Sequence, residues 1–176
     1  MITSGGTTTD ITTVGSSQLN LTGAVVSTGG LVKAGNGMLV VNSPQFFSGG
    51  SGLVINGGTV RLSGGTNSLL LAPGNTTPST FTDVRVNSNG VLDMAGNSLV
   101  VGQLVGNSPL PGMAGSVVST GGPATLTLAS NAAPTFAGAI SGSISFIKQN
   151  SGNVTLTETG HRVCGGWGGG VGRRSE

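Results

Sequence analysis

Asp83, Arg85 and Asp93 form the one cluster of acidic and basic residues in the body of the chain. Two carboxyl groups beside a cation could act as general acid and base in the cleavage of a polysaccharide. The order Asp83-Val84-Arg85-Val86 places both charges on one side of a strand and both valines on the other. Charges on the outer side of a strand are most often only solvated. We therefore favour a structural interpretation of the cluster.

The C-terminal residues hold the other groups that could bind a metal or a phosphate. His161 and Cys164 have the spacing H-x-x-C, which supplies too few ligands for zinc. Gly165–Gly170 is not followed by the Lys-Ser/Thr pair of a phosphate-binding loop. The chain also lacks the G-x-S-x-G elbow of serine hydrolases. The sequence thus predicts no catalytic residue, cofactor or metal, and we do not expect an enzyme.

The composition excludes several other classes of protein. Glycine occupies 34 of the 176 positions and charged residues make up 7%, against roughly 25% in an average domain. This excludes a helical bundle, and a formal net charge of +2 is too small for a nucleic-acid-binding surface. A single cysteine excludes an internal disulfide framework. No apolar run reaches the roughly 18 residues of a membrane helix, and no signal peptide is visible at the N-terminus.

The apolar residues follow the period of strands and not that of helices. Short runs rich in Val, Leu, Ile and Thr alternate with corners of Gly, Asn and Ser. In residues 125–128, Thr-Leu-Thr-Leu, one side of the strand is polar and the other apolar. The sequence predicts strands at Ser17–Leu21, Ala24–Ser27, Met38–Val41, Gly52–Ile55, Thr59–Leu62, Ser68–Leu71, Asp83–Val86, Val91–Met94, Ser98–Val101, Ser116–Ser119, Thr125–Leu128, Ile144–Ile147 and Asn153–Thr157.

Small inward residues and an internal repeat favour a solenoid over a sandwich or a barrel. The inward positions are almost all Val, Leu, Ile or Ala, which suit the narrow interior of a coil. Residues 33–41 and 148–156 align without a gap, and each copy begins with a lysine, Lys33 or Lys148. We expect these lysines to be structural, with their stems covering apolar surface at a corner. Coils of roughly 20–25 residues would give about seven or eight turns.

The first copy of the repeat and the residues after it form a Gly-rich pattern. Residues 30–41 read Gly-Leu-Val-Lys-Ala-Gly-Asn-Gly-Met-Leu-Val-Val, and Ser48-Gly49-Gly50 follows. Residues 54–62 then read Val-Ile-Asn-Gly-Gly-Thr-Val-Arg-Leu. This stretch closely resembles the passenger-associated β-strand repeat of autotransporters, which runs G-x-L-x-K-x-G-x-G-x-L-x-L and continues like I-N-x-G-T-L-x-L. The likeness covers residues 24–157. The second copy departs from the repeat at Gln149-Asn150-Ser151, where the family prefers Gly two residues after Lys. The repeat positions are Lys33, Gly35, Gly37, Leu39, Val41, Asn56, Gly57, Gly58, Lys148, Gly152, Val154 and Leu156.

The resemblance implies that residues 1–160 form a right-handed, single-stranded parallel β-helix of a secreted passenger. It carries over no catalytic residue, so it implies a stalk or adhesin-type scaffold at an extracellular or outer-membrane surface. The implied partners are host or environmental glycans or proteins. Apart from the resemblance, uncapped terminal coils of a fragment would expose rung edges, which predicts contacts with neighbouring rungs or end-to-end self-association. We expect no nucleic acid, and contact with a membrane only through the family's C-terminal barrel, which is missing here. The alternatives are a carbohydrate-active β-helix enzyme, a polysaccharide lyase or hydrolase, and a glycan-binding adhesin.

Residues 161–176 differ in kind from the rest of the chain. They contain the only His, Cys and Trp and three of the five Arg residues. The second repeat copy should continue into a further turn and strand, but the sequence runs into His-Arg-Val-Cys at residues 161–164. We therefore expect an irregular Gly/Arg-rich tail, disordered or out of frame, on a fragment of a longer passenger.

Overall fold

The computed structural model describes residues 2–4, 8–47, 52–71, 81–159 and 161–162. In these ranges the chain forms 18 β-strands and no helix. The strands are β1 (Ile2–Ser4), β2 (Thr9–Thr12), β3 (Gln18–Leu21), β4 (Val25–Ser27), β5 (Leu31–Ala34), β6 (Met38–Val41), β7 (Gln45–Phe47), β8 (Leu53–Ile55), β9 (Gly58–Leu62), β10 (Leu69–Leu71), β11 (Val84–Val86), β12 (Gly90–Asp93), β13 (Leu99–Val101), β14 (Leu104–Val105), β15 (Ser116–Ala129), β16 (Thr135–Phe136), β17 (Ala139–Gln149) and β18 (Thr155–Leu156).

Each strand pairs in parallel with strands of neighbouring turns, so that the chain coils into a solenoid with three faces. The first face has the order β1-β4-β7-β10, and the second has the order β2-β5-β8-β11-β14. The third face runs β3-β6-β9-β12-β15. The long strand β15 then crosses a corner, with a register shift between Ser119 and Ala124, and pairs along its length with β17. The predicted all-β parallel solenoid is confirmed.

The solenoid has about six turns, fewer than the seven or eight that the sequence predicts. Successive partners lie 20 residues apart at Val26 and Phe46, but 32 apart at Thr59 and Val91. The longest turn contains the connection between β10 and β11, residues 72–83. Residues inserted at a corner lengthen a turn without changing the stacking of its strands. Because some turns are longer than the 20–25 residues assumed, the chain forms fewer turns than the sequence predicts.

The core is a set of inward columns in which one residue from each turn stacks on the next. On the third face Leu39, Val60 and Leu92 are register neighbours, and each is 0% exposed. This column confirms the inward positions expected from the alternation of residues. Phe47 and Phe136 are also fully buried, so the interior contains more aromatic side chains than the sequence predicts.

Six observed strands are not among those that the sequence predicts: β1, β2, β5, β7, β14 and β16. Two of them, β5 and β7, place a polar residue inward, which breaks the alternation. In β7 this residue is Gln45, whose Oε1 accepts from Val25 N at 2.8 Å and whose Nε2 donates to Ser43 O at 2.7 Å. In β5 it is Lys33. The strands β14 and β16 have only two residues each, too few to show a period.

Candidate functional site

Lys33 lies in the interior of the solenoid. Its register neighbours on the second face are Ile11 in the preceding turn and Ile55 in the following turn. The side chain is 0% exposed and is among the largest that the core buries completely. A buried charge is costly unless each of its donors has a partner. The surroundings of the ammonium therefore decide whether this position stabilises the fold.

The Lys33 ammonium donates hydrogen bonds to three backbone carbonyls near the corner that follows β5. Its Nζ donates to Ala34 O at 2.7 Å, to Gly35 O at 2.8 Å and to Gly57 O at 3.0 Å. Three acceptors match the three donors of an ammonium group. Burial lowers the pKa of Lys33, whereas these hydrogen bonds favour its charged form. Because Gly57 belongs to the next turn, the cation also ties two turns together.

Lys148 repeats this arrangement in the last described turn. Its Nζ donates to Ser130 O at 2.7 Å, to Gln149 O, and to Asn150 O at 3.3 Å. As at Lys33, two acceptors are the carbonyls one and two residues after the lysine, and the third belongs to an adjacent turn. Lys148 is only half-buried. We call residues 33–37 and 148–152 the first and second lysine corners.

The second residue after each lysine has the same unusual backbone conformation. Gly35 has a φ of +75°, and Asn150, its counterpart in the second copy, has a φ of +64°. Glycine adopts this left-handed region at no steric cost, and asparagine is among the side chains that tolerate it best. The departure of the second copy from the family's glycine therefore preserves the conformation that the corner requires.

The last glycine of each lysine corner allows an adjacent turn to approach closely. A Cβ atom on Gly37 would lie 2.5 Å from Ser17 O, and one on Gly152 would overlap Ala132 O. Either substitution would push the neighbouring turn away. The repeat Lys-x-Gly/Asn-x-Gly is thus a corner motif made of a cation, a left-handed residue and a position of close approach.

The other repeat residues pack as core or build the next corner. Leu39 and Val41 are fully buried, and Val154 and Leu156 are partly buried against the same core. Asn56, Gly57 and Gly58 form the corner above the first lysine corner, where Asn56 Oδ1 accepts from Asn87 Nδ2 of the following turn at 2.6 Å. The sequence does not predict this contact between asparagines, although both follow an inward aliphatic residue.

The predicted cluster of Asp83, Arg85 and Asp93 is not brought together as one site. Asp83 precedes β11 on the second face, and its Oδ2 accepts from Gln103 Nε2 at 3.2 Å. Burial raises the pKa of Asp83, although Gln103 and Arg85 favour its charged form. Arg85 is an exposed outward residue of β11. Asp93 ends β12 on the third face, beyond the intervening corner.

Asp93 is a structural residue that joins three turns. It is 3% exposed and accepts from Thr120 Oγ1 at 2.6 Å, Thr120 N at 3.1 Å and Ala95 N at 2.9 Å. Its Oδ2 also lies 3.6 Å from Arg61 Nη1 in the preceding turn. Burial alone would raise the pKa of Asp93, but the donors from Thr120 and Ala95 and the charge of Arg61 hold it below its ordinary value.

The C-terminal candidates fall mostly outside the described residues. Cys164 and the glycine run at 165–170 lie there, as does the Ser48-Gly49-Gly50 turn of the family resemblance. His161 Nδ1 accepts from Ile140 N at 3.3 Å, and Arg162 N donates to Ile140 O at 2.9 Å. Burial lowers the pKa of His161. The predicted boundary between residues 160 and 161, and the irregular tail, stay predictions.

The surface of the described residues includes the following two concavities. The larger, of about 270 Å³, lies beside the third face and is lined by residues such as Gly90, Gly112, Gly115, Ser116 and Glu158. The smaller, of about 170 Å³, is lined mainly by apolar residues on the first face. The described part of the chain contains no cluster of three or more His, Cys, Asp or Glu residues that could hold a metal ion. It also contains no helix able to cross a bilayer.

Comparison with known proteins adds no family to this description. No family model, no curated protein and no solved structure matches the chain at a significant level.

Proposed function

We propose that the chain is a structural segment of an autotransporter-like secreted passenger, a stalk or scaffold at an extracellular or outer-membrane surface without a catalytic site of its own. The observation that carries this proposal is how the two charged residues that are buried in the described part of the chain bond to the backbone and to neighbouring turns. Lys33 and Asp93 both bond groups in more than one turn of the coil. Charges placed in this way strengthen the stacking of turns, which is the property that a rigid spacer needs.

The continuous core gives a second reason for this assignment. The buried aliphatic residues form one cluster from Leu21 to Ile144. At the strand spacing of about 4.8 Å, six turns give a rod on the order of 30 Å long. The lysine–glycine repeat supports the link to passengers of autotransporters, because both copies build the same corner motif. The enzymatic alternative has less support, since Asp83 and Asp93 lie on different faces.

The proposal is tested by displaying the chain on a bacterial cell. The 176-residue chain is placed, with an N-terminal epitope, between the export signal and the translocator of an autotransporter. A second version lacks residues 31–52, which joins Gly30 directly to Leu53, the register partner of Leu31. We expect both versions to show the epitope on intact cells, because removing one whole turn leaves the stacking intact.

A matched control lacks residues 31–41, which is only part of a turn and destroys the register. This version should be degraded during export and should show no epitope. The proposal would be wrong if the intact chain, folded by circular dichroism, failed to carry the epitope to the surface. It would also be wrong if the chain cleaved polysaccharides and lost that activity on Asp83→Ala.

A further inference from the structure

Three Asn-Gly pairs lie at the corner between the second and third faces, in three successive turns. They are Asn36-Gly37, Asn56-Gly57 and Asn89-Gly90. An asparagine before a glycine loses ammonia more readily than before other residues, because no side chain on the glycine hinders attack by its nitrogen. In each pair the asparagine is exposed and the glycine is buried. Sequence and burial therefore do not distinguish the three pairs, and the comparison rests on their hydrogen bonds.

The glycine nitrogens of the three pairs differ in their acceptors. Gly37 N donates to Thr13 O at 3.1 Å, and Gly90 N donates to Asn87 O at 2.9 Å. Gly57 N donates to no acceptor among the described residues. Attack on the asparagine side chain replaces the hydrogen on the glycine nitrogen by a bond to carbon. The reaction would therefore break a backbone hydrogen bond at Gly37 and at Gly90, but none at Gly57.

The carboxamide of Asn56 also receives a hydrogen bond from the following turn. Asn87 Nδ2 donates to Asn56 Oδ1 at 2.6 Å. Asn87 is itself held to the turn below, because its backbone N donates to Ile55 O at 2.9 Å. Oδ1 takes up negative charge when a nucleophile adds to the carboxamide carbon, and a donor already placed on that oxygen stabilises this charge.

We propose that Asn56 is a site of spontaneous deamidation, in which Gly57 supplies the nucleophile and Asn87 stabilises the developing charge. Gly57 N forms a bond to Asn56 Cγ, the bond from Cγ to Nδ2 breaks, and the proton of Gly57 N leaves with the amine as ammonia. Water then opens the resulting succinimide ring. Opening at Cγ gives aspartate, whereas opening at the backbone carbonyl gives isoaspartate, in which the main chain is longer by a methylene group. The reaction consumes one water and releases one ammonia.

The isoaspartate product would weaken the first lysine corner. Gly57 O accepts from Lys33 Nζ at 3.0 Å, and this bond ties two turns together. A longer main chain immediately before Gly57 displaces this carbonyl from the ammonium. Deamidation of Asn56 would thus loosen the contact between the two turns as the protein ages, and it would open Lys33 to reagents that the fold excludes.

The purified full chain is incubated at neutral pH, and each Asn-Gly pair is followed by mass spectrometry of its peptides. The parent chain is compared with Asn87→Ala, which removes the donor. The matched control is Asn107→Ala at the same corner of the next turn, where Asn107 Oδ1 accepts from Ser88 N at 3.1 Å. Both variants must keep the β minimum of the parent chain in circular dichroism. A parallel incubation in guanidinium chloride gives the rates without the fold.

We expect similar rates at the three pairs in denaturant. In the folded chain Asn56 should react about fivefold faster than Asn36 or Asn89, a factor that one hydrogen bond of ordinary net strength supplies. Asn87→Ala should slow the reaction at Asn56 by about the same factor, whereas Asn107→Ala should leave it unchanged. If Asn87 only restrained the corner, its loss would free Asn56 and speed the reaction. The inference is overturned if Asn36 or Asn89 reacts as fast as Asn56 in the folded chain, or if Asn87→Ala does not slow the reaction.

The effect on the first lysine corner is measured by acylation of Lys33 before and after the incubation. The aged parent chain should label faster at Lys33 in proportion to its isoaspartate content. Asn56→Gln is the matched control, because its longer side chain would have to close a larger ring, and its labelling should not change with time. Equal labelling of the fresh and the aged parent chain would show that the two turns stay joined. These measurements do not involve surface display, so this inference and the proposed function fail separately.

Discussion

The two lysine corners share one local geometry in two different environments. In each, the ammonium bonds the carbonyls one and two residues ahead and a third carbonyl from an adjacent turn. The first corner joins β5 to β6, between the second and third faces, whereas the second joins β17 to β18. The same motif thus works at different corners of the coil. The local sequence fixes its shape, and the position in the stack determines its burial.

The difference in burial decides what each lysine contributes to stability. Around Lys33 the ammonium and the Gly57 carbonyl are buried, so Gly57 O would lose its partner with no water to replace it if the ammonium were removed. The other two acceptors, Ala34 O and Gly35 O, belong to half-buried residues. Around Lys148 water can replace the ammonium at little cost. We therefore expect the lysine to contribute more to the free energy of unfolding at the first lysine corner than at the second.

The replacement Lys33→Met should have the largest effect on the free energy of unfolding. Methionine fills a similar volume but removes the donor to Gly35 O and Gly57 O. Ala34 O still accepts from Thr13 N at 3.1 Å. We expect a loss of about 3 kcal/mol, because each buried acceptor left without a donor costs about 1–3 kcal/mol. The measurement is urea unfolding followed by circular dichroism.

The control for this variant is Ile55→Met, in the next turn of the same inward column. It changes shape but removes no hydrogen bond, so the loss should stay below about 1.5 kcal/mol. Equal losses in the two variants would show that the carbonyls around Lys33 do not need the ammonium.

Exchanging the left-handed residues between the two corners should give unequal results. Gly35→Asn keeps an acceptable backbone conformation but adds a Cβ that would overlap Thr13 O of the preceding turn. We expect it to cost about 2 kcal/mol. The reverse exchange, Asn150→Gly, affects an exposed residue and should change stability by less than about 0.5 kcal/mol. Both values come from the same unfolding experiment, and similar costs would refute the close approach at Gly35.

The replacement Lys148→Met should have a smaller effect than Lys33→Met. The carbonyls of Gln149 and Asn150 lie at an exposed corner, where water can bond to them. We expect a loss of about 1 kcal/mol or less in dilute solution. A loss as large as that of Lys33→Met would show that the carbonyls around Lys148 are not accessible to water in solution.

Much of the fold could be predicted because the inward columns obey a simple alternation. Val84 and Val86, for example, are both inward and fully buried, as the order Asp-Val-Arg-Val indicates. Two large exceptions are the inward polar residues Lys33 and Gln45. Their burial depends on carbonyls that only the folded corner brings within reach, so no sequence period reveals them.

The role of the lysines was predictable only in part. Their equivalent positions indicate a structural role, and both lie at corners as expected. The expected mechanism, an apolar stem covering the surface, is wrong for Lys33, because its ammonium lies inside and bonds the backbone. Asp83 and Asp93 could act as a catalytic pair only if their carboxyl groups lay close together. They are ten residues apart in the sequence, but a corner lies between them and places them on different faces of the solenoid. The sequence separation alone does not show this.

The smallest effect that we predict is a dependence of stability on alkaline pH that arises at the first lysine corner. Burial lowers the pKa of Lys33 in the folded chain from its ordinary value of 10.5. Between the lowered pKa and 10.5 the unfolded chain binds more protons, so this group makes the free energy of unfolding rise with pH. The difference in stability between the parent chain and Lys33→Met isolates this contribution, and it should grow as the pH approaches 10.5. A difference that shrinks instead would mean that the three carbonyls raise the pKa by more than burial lowers it. In that case the charged form of Lys33 would itself stabilise the folded chain, in addition to the hydrogen bonds that its ammonium donates to the three carbonyls.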